Sequence, residues 1–323
     1  MQYHSLSNYS DLMLSDKESK IKEYVIHLKE KGVSKSWFMT LFASLKNFYE
    51  MNDVENIKWR KLKRYQGEEQ PKHEDRRYTY DEIHTLVQNA NLKLKATILL
   101  MSSSGVRVGA LPTLTTGHLN RRGDIYKINV YKGLKGKGQY YTFCTPECAK
   151  AIDTYLQFRE RCGEKLNPES PLFRRDFDMS DQGQARFEVH SWDRPRILES
   201  LRTELIKNGL VIVDHTKYTR KEVKVSHGFR MFFETMLVNA NIPETIIRKL
   251  TGHSERSNLT QLYSKQTEEE MLFEYSKAID SLTIDPANRL KRQVEYLTIE
   301  KSKIDLLEDK VDKLTAFVST SKV

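Results

Sequence analysis

The stretch Ile125-Tyr126-Lys127-Ile128-Asn129-Val130-Tyr131 alternates residue by residue, and after Lys132-Gly133-Leu134-Lys135-Gly136-Lys137-Gly138 a second run, Tyr140-Tyr141-Thr142-Phe143, returns. β-Branched and aromatic residues at period two, interrupted by a glycine-rich segment, predict a β-hairpin, here with a long basic loop. On either side the pattern is helical. Thr145-Pro146-Glu147 predicts a helix start, with Thr as cap and Pro in the first turn. Lys95 to Met101 is the apolar run of another helix, one more begins at Asp81, and most of the rest to about Asp280 reads as helix. The expected fold is mainly α with a small antiparallel β-sheet, an α+β arrangement.

Towards the N-terminus, residues 16 to 31 carry Ile21, Tyr24, Val25 and Leu28 at helical spacing. Ser34 is placed to cap a second helix with a broad apolar face. Lys58, Arg60, Lys61, Lys63 and Arg64 then interleave with Trp59 and Leu62. These cations are either a solvated helix face with two core anchors or a DNA-binding surface that tracks phosphates. Gln66 to Asp75 is polar, aperiodic and contains Gly and Pro, as a linker does. The expected division is a helical domain over 1–67, a linker over 68–77, a larger domain over 78–283 and a C-terminal helix over 284–323. In that tail Leu290, Leu297, Ile304, Val311 and Val318 fall seven apart, with Leu307 and Leu314 at the partner position and Gln293 and Glu300 weakening the first half. This narrow seam reads as an oligomerisation or docking coiled coil, or else as a helix packed on its own domain.

A chain of 323 residues with 38% hydrophobic residues is long enough for two domains and a sizeable core. No apolar run approaches the roughly 18 residues of a membrane helix, and Met1 to Ser5 lacks the pattern of a signal peptide, so a cytoplasmic protein is expected. Three cysteines argue against a disulfide framework, and Cys144 and Cys148, without a second ligand pair nearby, read as small core residues rather than zinc ligands. The formal charge is +9, and between Arg76 and Lys137 eleven Lys/Arg face three acids, a focused patch that favours a polyanionic partner.

Several residues suited to a phosphodiester are spread along the chain. In Ser103-Ser104-Gly105-Val106-Arg107-Val108-Gly109 an arginine stands between glycines, which permit a tight turn and close approach to a ligand. Ser226-His227-Gly228-Phe229-Arg230 sets His and Arg three apart, on one face of a helix. Leu250-Thr251-Gly252-His253 ends a helix at a glycine, and Tyr263 follows ten residues after His253. Singly, each has a blander reading: a surface cation, an accidental pair, an anchoring tyrosine.

Taken in order, this series resembles the tyrosine recombinase family (phage integrase and Xer-type), whose signature runs Arg, Lys, His-x-x-Arg, Gly-His, Tyr. The resemblance covers roughly residues 75 to 283 and implies an N-terminal core-type DNA-binding domain before a catalytic domain. Two departures stand out. Ala110 occupies a position where the family commonly has Glu or Asp, and the gap from His253 to Tyr263 is one residue longer than usual. The resemblance implies a site-specific recombinase that cleaves and rejoins DNA through a 3′-phosphotyrosyl intermediate on Tyr263. The chemistry suits these residue types. Arg107 and Arg230 would clamp the phosphate as charge grows on its oxygens, His227 would accept the phenol proton, and His253 would hydrogen-bond a phosphate oxygen. Lys132 aligns best as the general acid for the leaving 5′-oxygen, with Lys135 and Lys137 as alternatives in the long loop.

The partners expected are double-stranded DNA carrying a specific site and further copies of the chain, as a tetramer on DNA, with no membrane. Met271, Leu272, Phe273 and Tyr275 would dock on a neighbouring protomer or pack within the same chain. No metal, ATP or other cofactor is implied: the arginines carry the charge, and the sequence offers neither a carboxylate cluster nor a phosphate-binding glycine loop. His118, His190 and His215 read as ordinary histidines, and Lys217, Arg220, Lys221 and Lys224 as a solvated loop or a DNA channel. Two other readings stand beside the recombinase: a type IB topoisomerase and a catalytically silent architectural DNA-binding protein. The wording around Tyr131 and Tyr141 is similar to archaeal integrase-like sequences, which favours a mobile-element enzyme.

Overall fold

The computed structural model describes residues 16–65, 75–179, 181–211, 223–253 and 266–320. The chain divides into two compact units, Met1–Glu74 and Asp75–Val323.

The first unit is built from α1 (Lys17–Glu30), α2 (Lys35–Met51) and α3 (Trp59–Arg64). Ser34 caps α2 by accepting from the Trp37 amide at 3.3 Å. Ile21, Val25 and Leu28 of α1 meet Phe38, Phe42 and Tyr49 of α2, and Leu62 of α3 closes this core. Phe38 stacks on Phe42 with centroids 5.5 Å apart, and Trp59 meets Phe42 edge-on at 5.6 Å. Lys58, Arg60, Lys61, Lys63 and Arg64 are exposed.

The second unit begins with α4 (Tyr80–Asn89) and α5 (Leu92–Ser104). α4 starts one residue before the expected Asp81 because Thr79 and Glu82 form a reciprocal capping box, with bonds of 3.2 and 2.8 Å. α5 is buried along nearly its whole length and lies at the centre of the unit. It packs on α6 (Pro146–Arg161), capped by Thr145, and on α9 (His227–Asn239).

The hairpin forms, with β2 (Ile125–Val130) pairing antiparallel to β3 (Tyr140–Phe143), Lys127 opposite Phe143. A strand absent from the sequence reading, β1 (Leu119–Arg122), adds to the other edge of β2. Its Leu-Asn-Arg-Arg sequence has no alternation to betray it, since three of its four residues are exposed.

The expectation of helix through most of the remainder is corrected between Gly163 and Asp193. There only α7 (Gln182–Phe187) is helical among the described residues. A buried ionic cluster holds this stretch. Glu164 pairs with Arg159, which donates through Nε at 3.0 Å and also through Nη2, and with Arg174 Nη1 at 2.7 Å. Arg174 also donates to the Ala185 and Gln184 carbonyls, each at 3.0 Å.

The chain then forms α8 (Arg194–Lys207), α10 (Glu244–Leu250), α11 (Glu268–Lys277), α12 (Ile279–Leu282) and α13 (Pro286–Thr320). Met271 and Tyr275 of α11 are buried in the core of their own unit, so the docking of these residues on a neighbour is not what the fold shows; only Phe273 of that set is well exposed, at 64%. No helix of the described residues is long and apolar enough to cross a membrane.

Candidate active site

The site is assembled at two helix ends. The last carbonyls of a helix have no intrahelical donor, and at the end of α5 three of them are taken by distant side chains. Tyr275 Oη donates to the Ser103 carbonyl at 2.8 Å, Thr142 Oγ1 to that of Ser104 at 3.0 Å, and Arg230 Nη1 to that of Gly105 at 2.8 Å. Gly105 turns the chain with φ +62°, and a Cβ there would lie 2.3 Å from the Phe233 ring, so conformation and space both demand glycine. Two residues on, the chain delivers Arg107.

α10 ends in the same manner at Gly252, φ +62°. Arg230 Nη2 donates to the Thr251 carbonyl at 2.8 Å, and Arg107 Nη1 reaches that carbonyl at 3.4 Å and the Gly252 carbonyl at 3.3 Å. Two guanidiniums thus share one acceptor. The partial negative charge of helix C-termini is what offsets their mutual repulsion.

Arg230 is 5% exposed. Burial pulls its pKa below the usual arginine value and the Arg107 charge adds to this, while Glu234, one turn along α9 and 3.0 Å from its Nε, opposes both. His253 completes the cluster, with Nε2 3.2 Å from Arg230 Nη2 and Nδ1 3.0 Å from Thr251 Oγ1. A guanidinium can only donate, so Nε2 accepts and the ring proton is assigned to Nδ1. Burial first, and then Arg230, hold the His253 pKa below its ordinary value, consistent with a neutral ring. In this state Nε2 is already engaged by Arg230. Donation from it to a phosphate oxygen requires both that Arg230 yield and that Nε2 gain a proton, by protonation of the ring or a change of tautomer.

Tyr140, the first residue of β3, faces the same group. A Cβ on Gly252 would fall 2.4 Å from its ring, so the glycine is also a seat for the aromatic. Burial raises its pKa, and Arg230 and Arg107 work against that rise. Its hydroxyl is buried and has no hydrogen-bond partner among the described residues. An unmet polar group beside two cations is the feature a bound anion would satisfy.

Among the described residues, none of the other expected site residues hydrogen-bonds to this cluster. His227 is exposed in the first turn of α9. Lys132, Lys135 and Lys137 are exposed on the β2–β3 loop, where Lys137 Nζ lies 5.4 Å from the Tyr131 ring centre and Tyr131 has φ +59°. Tyr263, together with His215, Lys217, Arg220 and Lys221, falls outside the described residues. His118 accepts from the Thr115 amide at 3.2 Å, a local cap. Cys144 and Cys148 are buried free thiols.

Sequence reading missed Glu234 and Tyr140. The first was legible as an (i, i+4) acid after Arg230 on a helix. The second had no local signal, because only the packing of β3 against the α10 end brings it there. Ala110 is buried where the family commonly has an acid, and among the described residues Glu234 is the carboxylate that pairs with Arg230.

Comparison with known proteins gives the family directly. The model of the phage integrase family matches residues 76–270, more than half of the chain. Among solved structures, the chain is similar to the Tn1549 transposon integrase in complex with circular intermediate DNA: 18% identity, 82% of this chain and 86% of that chain covered, TM-score 0.55. It is similar also to the XerA recombinase, at 21% identity, with 83% and 86% covered and a TM-score of 0.42. An integrase from mycobacterium phage Brujita matches at 16% identity, with 80% and 77% covered and a TM-score of 0.45. No curated protein matches the chain significantly. The matched span contains the paired arginines, the Gly-His turn and Tyr263, and the chain belongs to the phage integrase family, the tyrosine site-specific recombinases.

Proposed function

We propose that this recombinase cuts double-stranded DNA at a specific site by attack of the Tyr263 hydroxyl on a backbone phosphate, with Arg107 and Arg230 as the phosphate clamp. The observation that carries the reading is the convergence of both guanidiniums and His253 on the Thr251–Gly252 turn, against which the Tyr140 ring is seated. Fixed donors placed where charge grows in a pentavalent transition state stabilise it without reorganisation. The phosphorus–5′-oxygen bond breaks as the phosphorus–tyrosyl bond forms, leaving a 3′-phosphotyrosine. His227 accepts the phenol proton, and Lys132, or Lys135 or Lys137 of the same loop, donates one to the departing 5′-oxygen. Rejoining is the reverse, with a 5′-hydroxyl as the nucleophile. Gln266, three residues after Tyr263 in sequence, accepts from Lys249 of α10, which tethers the chain carrying Tyr263 to the helix that ends at the site.

Double-stranded DNA as partner is supported by the +9 charge and by the fold shared with the Tn1549 integrase, whose structure holds circular intermediate DNA. The exposed cations of α3 supply a second phosphate-binding surface in the first unit. Strand exchange on two DNA sites calls for four copies, and the likeness to a transposon integrase favours a mobile-element role.

The test is incubation with nicked duplexes that trap the cleaved strand, followed by denaturing electrophoresis. A covalent protein–DNA adduct on particular sites is expected, and Tyr263→Phe should bind DNA without forming it. Binding with no adduct on any DNA would leave an architectural protein. Adducts on unrelated sequences, with plasmid relaxation and no strand exchange, would mark a topoisomerase.

A further inference from the structure

We propose that α13 joins two copies of this chain as a parallel, in-register two-stranded coiled coil, an interface separate from the DNA-cutting site. The helix spans Pro286–Thr320, roughly 50 Å at 1.5 Å per residue. Its beginning is fastened to its own unit. Glu147 accepts from the Ile284 and Asp285 amides just before it, at 2.8 and 3.1 Å, Arg289 lies 4.3 Å from the Tyr80 ring centre, and Arg292 binds Asp280 at 2.7 Å. From Gln293 through Glu308 every residue is exposed. Helix in that setting is sustained by burying an apolar face, not by propensity alone, and such a face is present. Leu297, Ile304 and Leu307 are 62%, 54% and 59% exposed.

The seam itself identifies its partner. With Leu290 at heptad position a, Leu297, Ile304, Val311 and Val318 follow at a, and Gln293, Glu300, Leu307 and Leu314 at d. β-Branched residues at a with leucine at d, as in the half from Ile304 to Val318, favour two parallel strands. Charge agrees. In a parallel pair position g faces position e of the next heptad across the seam, which sets Lys303 against the second copy's Glu308, twice by symmetry. An antiparallel pair would set g against g, where Lys303 and Lys310 carry like charge. Glu300 at d loosens the seam on the N-terminal side, so pairing is centred on Ile304 and Leu307. Ile299 and Leu306, at position c, lie outside it. The consequence is a particle that carries two cutting units before DNA is met.

Light scattering on the eluting full-length chain, without DNA, tests this independently of the Tyr263 chemistry. A mass twice 37.9 kDa is expected. Ile304→Asp should weaken the dimer by roughly 100-fold or more, because each copy then buries an unpaired carboxylate, with any loss of helix confined to the segment after Arg292. In a Cys162→Ser background, Ile304→Cys and Leu307→Cys should each form a disulfide with its own copy, as parallel a–a and d–d layers require. A monomer at tens of micromolar, a dimer indifferent to Ile304→Asp, a trimer, or disulfides formed only between the two different cysteine variants would each overturn the proposal.

Discussion

Arg230 binds the Gly105 carbonyl, the Thr251 carbonyl, Glu234 and His253 at once, and no other cationic side chain has the planar fork to do so. Arg230→Lys keeps the charge but loses that geometry. The rate of adduct formation should fall roughly 10²–10³-fold, the usual effect of removing one transition-state donor, when measured well below the melting temperature. His253 gives a pH prediction. Its folded pKa is lowered, so stability from the neutral ring is present above the ordinary histidine value and lost as pH falls through the depressed one. The ring should therefore titrate, by NMR, below the ordinary value of a solvent-exposed histidine. A midpoint at or above that reference would contradict the accepting role of Nε2. Gly252→Ala should cost about 1–2 kcal/mol for the left-handed backbone, and a further ~1–3 kcal/mol for overlap with the Tyr140 ring, readable in denaturant unfolding. At this scale Arg107 and His253 were legible beside their glycines, and Arg230 by its spacing from His227. Tyr140 was not, because its place depends on contacts between residues more than a hundred positions apart.

Elements whose signals are local were read correctly: Ser34 and Thr145 cap the helices they were expected to cap, and the hairpin runs as its alternation predicts. What stayed hidden is structure held by long-range polar contacts. β1 exposes three of its four residues, so period-two patterning does not arise there. The segment after Gly163 is rich in charge and reads as helix, yet its order comes from Arg159, Glu164 and Arg174, all buried. Burial pushes the Glu164 carboxyl up, but hydrogen bonds and charge from the two arginines outweigh it and hold the pKa low. Its stabilisation is therefore present above the ordinary carboxylate range and lost as pH falls through the depressed value. Glu164→Gln strands two buried guanidiniums and should cost about 3–5 kcal/mol. The melting temperature of the variant should also depend less on pH in the acid range than that of the parent. An unchanged acid limb would show that Glu164 does not carry it.

For the whole molecule, the order Arg, His-x-x-Arg, Gly-His, Tyr identified the family although the residues span Arg107 to Tyr263. That order survives because one fold brings two helix ends together, and the electrostatics follow from it. Among the described residues the Arg107 and Arg230 guanidiniums are met by one carboxylate, Glu234, which leaves the site positive, ready for one backbone phosphate. Strand cleavage should accordingly weaken as salt rises, with DNA affinity falling linearly on a log–log scale, and neutralising Lys61 with Lys63 should shallow that slope without altering chemistry on bound DNA. The identity of the nucleophile decides whether this chemistry operates. Adduct trapped on a nicked substrate should be digested with protease, and the peptide carrying the nucleotide sequenced by mass spectrometry. The modified residue is predicted to be Tyr263, linked through a 3′-phosphate; a nucleotide on any other residue, or a 5′ linkage, would contradict it.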